Sequence, residues 1–210
     1  GMNDFNARRG AENFDRDGLR EAVAFCHVRG VRVYLTLNTL LSDEELPRAL
    51  SSAAFAYECG VDAVIVQDLG LARILHESFP DFPLHASTQM TVHTPAALSL
   101  LKRLGFVQVV VSREMSRADL VVFCARAKEL GIQVEVFVHG ALCVACSGQC
   151  LMSSLIGGRS GNRGLCAQPC RMKYRMDGKE GYLLSTKDLC GLDGLKELVQ
   201  AGANSLKIEG

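Results

Sequence analysis

The sequence predicts an α/β fold built on a parallel sheet. Three observations predict it: a recurring unit of helical pattern, glycine and apolar strand; polar residues that follow each strand; and one long segment, 140–187, where this rhythm stops. Strand–helix alternation through short loops implies right-handed crossovers, which leaves a closed (β/α)8 barrel or an open doubly wound sheet.

Asp17 to Arg29 reads as the first helix, with apolar residues at three- and four-residue intervals, and Gly30 leads into a strand over Val31–Leu37. Asp43 to Cys59 is the next helix, ended by Gly60 ahead of a strand at Val64–Val66, and Leu84–Thr88 is a third strand. Thr94 to Leu104, ended by Gly105, precedes Val107–Val111; Arg117 to Leu130, ended by Gly131, precedes Val134–Val138; Leu192 to Ala201, ended by Gly202, precedes Ser205–Ile208. Glycine suits a helix end because it adopts the left-handed conformation without strain, and the β-branched runs suit strands buried on both faces.

In either fold the C-terminal ends of parallel strands form the ligand face. Asn38, Gln67, Asp68, Gln89, Arg113, Glu114, His139, Lys207 and Glu209 all fall there. One polar residue after a strand is ordinary loop chemistry, whereas a set in register across six strands points to a functional mouth. His139, Glu114, Asp68 and Glu209 are its candidate acid–base groups, His139 because imidazole titrates near neutrality. Asn38, Gln89, Arg113 and Lys207 are its candidate substrate contacts.

Net charge is zero, so a nucleic acid would have to be met by a local patch rather than by the molecule as a whole. The run from Arg159 to Arg175 holds five cations and no acid, and Arg159, Arg163 and Arg171 are candidate phosphate contacts. No apolar run reaches the roughly 18 residues of a membrane span, and Gly1-Met2-Asn3-Asp4 has no signal-peptide character, so a cytoplasmic protein without a membrane partner is expected.

Between Val136 and Met176 there is no aspartate or glutamate, yet Cys143, Cys146, Cys150, Cys166 and Cys170 lie there among the arginines. Nearby cations and bound metals both favour thiolate, and a chain with nine cysteines in a reducing compartment points to metal or redox work rather than disulfides. Spacing alone allows a zinc knuckle on Cys143, Cys146, Cys166 and Cys170, or an iron–sulfur site on the same segment. The segment's low apolar content implies that a metal holds its shape. Asp177-Gly178 marks a hairpin within it.

The run Glu135-Val-Phe-Val-His-Gly-Ala-Leu-Cys143, then Ser147-Gly-Gln-Cys150-Leu-Met-Ser153, resembles the signature of the collagenase-like peptidase family. The likeness continues through Gly164-Leu-Cys166-Ala-Gln-Pro-Cys170-Arg171, Ser185-Thr-Lys-Asp-Leu189 and Ser205-Leu-Lys-Ile-Glu-Gly210, and covers Asn6-Ala-Arg8, Ala11-Glu-Asn13-Phe14 and Thr36-Leu-Asn38-Thr-Leu40. The resemblance implies an oxygen-inserting protein: relatives hydroxylate a cytidine in large-subunit ribosomal RNA or a wobble uridine in transfer RNA, and others serve ubiquinone hydroxylation. It implies a 4Fe-4S cluster on Cys143, Cys150, Cys166 and Cys170, expected to be absent from protein prepared in air, and so favours iron–sulfur over the zinc that spacing also allows. The stretch from Asn6 to Phe14 most resembles the ribosomal RNA branch.

The resemblance also implies a (β/α)8 TIM-barrel-like domain over 2–210 that lacks its first two strands, with 140–187 as a cysteine-rich insertion. Open sheet edges would then favour a homodimer. Two other functions compete with RNA hydroxylation. A collagenase-like protease needs a nucleophile, and with neither His-Glu-x-x-His nor Gly-x-Ser-x-Gly in the chain that would be a cysteine with His139 as its base. A non-catalytic metal-stabilised module binding RNA or protein would need only the cysteines.

Overall fold

The computed structural model describes residues 1–8 and 13–209; the Ala11-Glu12 part of the motif near the start and the terminal Gly210 lie outside the described residues. The elements run α1 (Arg16–His27), β1 (Tyr34–Leu37), α2 (Leu46–Glu58), β2 (Ala63–Val66), α3 (Leu69–Ser78), β3 (Leu84–Ala86), α4 (Leu98–Arg103), β4 (Phe106–Val110), α5 (Arg117–Glu129) and β5 (Gln133–Gly140). After them come α6 (Met152–Gly157), β6 (Tyr174–Met176), β7 (Lys179–Gly181), β8 (Leu189–Cys190), α7 (Leu195–Gln200) and β9 (Ser205–Ile208).

Six strands form one curled parallel sheet in the order β1-β2-β3-β4-β5-β9. All six strands expected from sequence are present. Helices α1 and α5 begin on side-chain caps, Asp15 accepting from Gly18 N and Ser116 from Asp119 N. The glycines that precede the strands, at 30, 60, 105, 131 and 202, have φ of 64° to 104°, as helix-ending residues should. Two differences stand out. The stretch after β2 forms α3, a helix the sequence pattern does not single out, and Thr94–Leu104 divides into a 3₁₀ turn at Pro95–Ala97 and the short α4.

Alternation along the strands sorts their side chains. Leu35, Leu37, Val64, Val66, Leu84, Ala86, Val109, Val134 and Val136 face the helices and form the core with Leu71, Leu75, Leu98 and Phe123. The opposite, concave face is not the apolar surface expected of strands buried on both sides. It carries a polar network, in which Glu135 of β5 accepts from Gln108 Nε2 (2.8 Å), Ser205 Oγ (2.9 Å) and Lys207 Nζ (2.8 Å). His85 lies in the same layer, edge-on to Tyr34 at 4.8 Å between ring centres.

Residues 141–188 leave the sheet after β5 and return through β8, which pairs antiparallel with His139 and Gly140. The Asp177-Gly178 hairpin joins β6 to β7, with φ of 50° and 76° at its two turn residues, the conformation that matches strand twist.

Candidate metal centre and barrel mouth

Each strand delivers its last polar residue to the same end of the sheet, but the structure gives those residues different work. Arg113 forms an ion pair with Glu209 and stacks on Phe137, 3.9 Å from the ring centre. Glu209 also pairs with Arg8 at 2.9 Å. Burial holds the Arg113 guanidinium below its usual pKa. Asn38 accepts from Ala7 N at 2.9 Å and donates to Ser87 Oγ at 3.3 Å, tying the start of the chain to the mouth. The Asp68 carboxylate caps α3 through Leu71 N (2.9 Å) and accepts from Leu41 N (3.3 Å). Lys207 sits within β9 and reaches down the concave face to Glu135. His139 is exposed, on the rim where β5, β8 and β9 meet. Gln67 donates to Gln89 O at 3.1 Å, and the buried carboxamide oxygens of both glutamines have no hydrogen-bond partner among the described residues.

The thiols lie beyond this rim. Burial raises the pKa of Cys143, the positive charge of Arg113 opposes that, and the charges of Cys170, Cys150 and Cys166 push it up again. Those three thiols and Cys143 therefore share one electrostatic neighbourhood. The backbone N–H of Gln168 points at Cys166 Sγ (3.3 Å), and Gly161 lies against both Cys166 Sγ and the Cys150 carbonyl. No group of three or more His, Cys, Asp or Glu among the described residues is set to hold a single metal ion as placed.

The turn between Cys143 and Cys150 docks on the mouth. Ser147 donates from N (2.7 Å) and Oγ (3.0 Å) to Glu114 Oε1, and its carbonyl accepts from Thr91 Oγ1 (2.7 Å). Gln149 Nε2 donates to the same Thr91 hydroxyl at 2.8 Å. Gly148, with φ of 77°, lies on the Gln89 backbone where a Cβ would collide with the Gln89 carbonyl. The Ser-Gly-Gln motif thus has a physical reason for every member. Sequence reasoning gave Thr91 no part, since its partners are more than fifty positions away in the chain.

The arginines of the basic run are engaged within the chain. Arg163 pairs with Glu45 and Leu40 O, and the Glu45 carboxyl is held down to about 2 chiefly by that hydrogen bond. Arg159 donates to Leu165 O (3.1 Å). Arg171 gathers Ser185 Oγ (3.0 Å), Thr186 O (2.6 Å), Leu142 O (2.9 Å) and Asp188 (3.2 Å), and so staples both ends of the cysteine-rich segment together.

A curled parallel α/β sheet with the turn between Cys143 and Cys150 docked on the C-terminal ends of its strands defines a half-barrel protein whose candidate site carries cysteines. The chain belongs to peptidase family U32, whose model matches residues 1–210. It is 42% identical to the 23S rRNA 5-hydroxycytidine C2501 synthase of Escherichia coli K12 over 98% of this chain and 32% of that protein. It is 28% identical to tRNA hydroxylation protein P1 of Bacillus subtilis (100% and 52%) and 31% identical to a collagenase of Porphyromonas gingivalis (100% and 54%). The chain thus spans a third to about half the length of these relatives. The solved U32 peptidase Mk0906 shares the fold, with a TM-score of 0.53 at 18% identity over 67% of this chain and 57% of that one. No helix among the described residues is long and apolar enough to cross a membrane.

Proposed function

We propose that this chain is the catalytic part of an iron–sulfur-dependent enzyme that hydroxylates a pyrimidine in RNA, cytidine of ribosomal RNA being the favoured base. The observation that carries the reading is the docking of the Cys143–Cys150 turn on the mouth, through Ser147 to Glu114 and through Gln149 and the Ser147 carbonyl to Thr91, which sets the first two cysteines of the segment beside the strand ends. The donor set fits a 4Fe-4S cluster. Four soft thiols are offered, an N–H is aimed at Cys166, and a buried cation offsets thiolate charge. Zinc is the alternative metal for thiols of this segment. A bound cluster would supply electron transfer or activation of the oxygen donor.

The remaining roles fall to the mouth. The exposed His139 imidazole is placed to move a proton at the rim. A base turned out of its stack is the form of pyrimidine such a mouth admits. The identity to the 5-hydroxycytidine synthase favours cytidine. This RNA would be met in the cytoplasm. The six strands would form part of an incomplete eight-stranded barrel with 140–187 inserted after β5, and a homodimer would cover the open edges at β1 and β9. The protease reading has less support, since burial pushes the Cys143 thiol up rather than down.

Anaerobic purification of the full-length protein tests the cofactor: about four iron per chain with broad visible absorbance is expected, and zinc in its place would end the cluster reading. Nucleoside mass spectrometry of RNA from a deletion strain tests the activity. A missing hydroxypyrimidine is expected, and an unchanged profile would refute RNA hydroxylation.

A further inference from the structure

Two of the four thiols, Cys143 and Cys150, bracket a turn whose side-chain hydrogen bonds from Ser147 and Gln149 run to the barrel. Glu114, in the loop after β4, takes both Ser147 hydrogens on one carboxylate oxygen, while the other oxygen faces His93 Nε2 at 3.7 Å. Thr91, in the loop after β3, donates to the Ser147 carbonyl and accepts from Gln149. Ser147 is only 2% exposed, so these bonds are shielded from water. Thr91 also holds a φ of 57°, which a β-branched residue adopts only when its surroundings compel it. Its hydroxyl bonds to the turn supply that compulsion. Gly148 presses on the Gln89 backbone, and Gln67, just after β2, holds the Gln89 carbonyl.

We propose that Glu114 and Thr91 are positioning residues: together they lock the Cys143–Cys150 turn and the Gln89 turn of the mouth into one frame, so that filling the thiol site orders the substrate face. The inference rests on the cluster reading above. It moves Glu114 out of the acid–base set, because its carboxylate is committed to Ser147. It also makes the coupling reciprocal, since whatever steadies one turn steadies the other.

The test uses full-length protein prepared without oxygen, in wild-type, Glu114→Ala, Thr91→Val and Thr91→Ser forms. Iron release to a chelator, hydrogen exchange of residues 87–93 and 143–150 with and without iron, and the thermal midpoint are measured. Glu114→Ala and Thr91→Val should release iron about tenfold faster, the loss of one or two buried or charged hydrogen bonds. Thr91→Ser, which keeps the hydroxyl, should behave as wild type. Removing iron from the wild type should speed exchange at 87–93 together with 143–150.

Wild-type iron release in both Glu114→Ala and Thr91→Val, or exchange at 87–93 indifferent to iron, overturns the proposal. A wild type that holds no iron refutes the cluster reading instead. The latch is then judged without metal: faster exchange at 87–93 in Glu114→Ala upholds it and unchanged exchange overturns it. If Glu114→Ala does not fold, the contrast of Thr91→Val with Thr91→Ser decides.

Discussion

His85 is a basic side chain in a place that keeps it neutral. Its pKa is driven from 6.5 to about 4, first by burial, with Glu135 opposing and Lys207 and Arg32 adding to the fall. An unfolded chain would bind the proton at an ordinary value, so between pH about 6.5 and about 4 the unfolded state holds more protons than the native one. Stability therefore falls as pH drops through that window, by on the order of 3 kcal/mol, and this contribution is flat above it. Urea titrations between pH 7 and 4.5 should show the slope, and His85→Phe should remove most of it while keeping the contact with Tyr34. Arg171 makes a second residue-scale prediction. Its fork spans four partners from two ends of one segment, which an ammonium cannot do, so Arg171→Lys should make residues 141–188 markedly more protease-sensitive with little change in the barrel's thermal midpoint. The charge of this arginine was readable from sequence, but its partners were not. They are brought to it by the return of the chain through β8.

Helix α3 shows how one residue can mislead at the level of elements. Asp68 follows β2 and so reads as a mouth residue, yet its carboxylate is the N-cap of the helix that begins at Leu69. Asp68→Ala should cost about 1 kcal/mol of stability, measured by chemical denaturation, and Asp68→Ser should recover most of it. An acid–base role would instead show as lost activity that serine does not restore. The Asp-Gly hairpin was legible because a two-residue turn depends only on its own backbone preferences. The split of Thr94–Leu104 was not, since the choice between 3₁₀ and α turns there depends on packing against α5.

At the scale of the molecule, the core and the candidate site are built by different forces. The hydrophobic core draws no buried residue from positions 139 to 194, so the cysteine-rich segment is held by hydrogen bonds and, on the present reading, by metal. Chelation should leave the far-ultraviolet circular dichroism of the sheet and helices largely intact while proteases cut within 143–188. Serine at Cys143, Cys150, Cys166 or Cys170 should abolish iron binding, whereas Cys146→Ser should retain it; loss of metal in Cys146→Ser with retention in Cys150→Ser would mark the zinc knuckle instead.

The parallel strand–helix order, the helix-ending glycines and the gathering of polar residues at one end of the sheet were determined by the sequence alone, because each follows from local backbone preference and hydrophobic period. Only the tertiary structure decided which polar residues are free to act. It committed Asp68 to a cap, Glu114 to Ser147, Lys207 to Glu135 and Arg163 to Glu45, since ion pairs and hydrogen bonds across tens of residues exist only once the sheet has curled and the thiol segment has folded back over its rim.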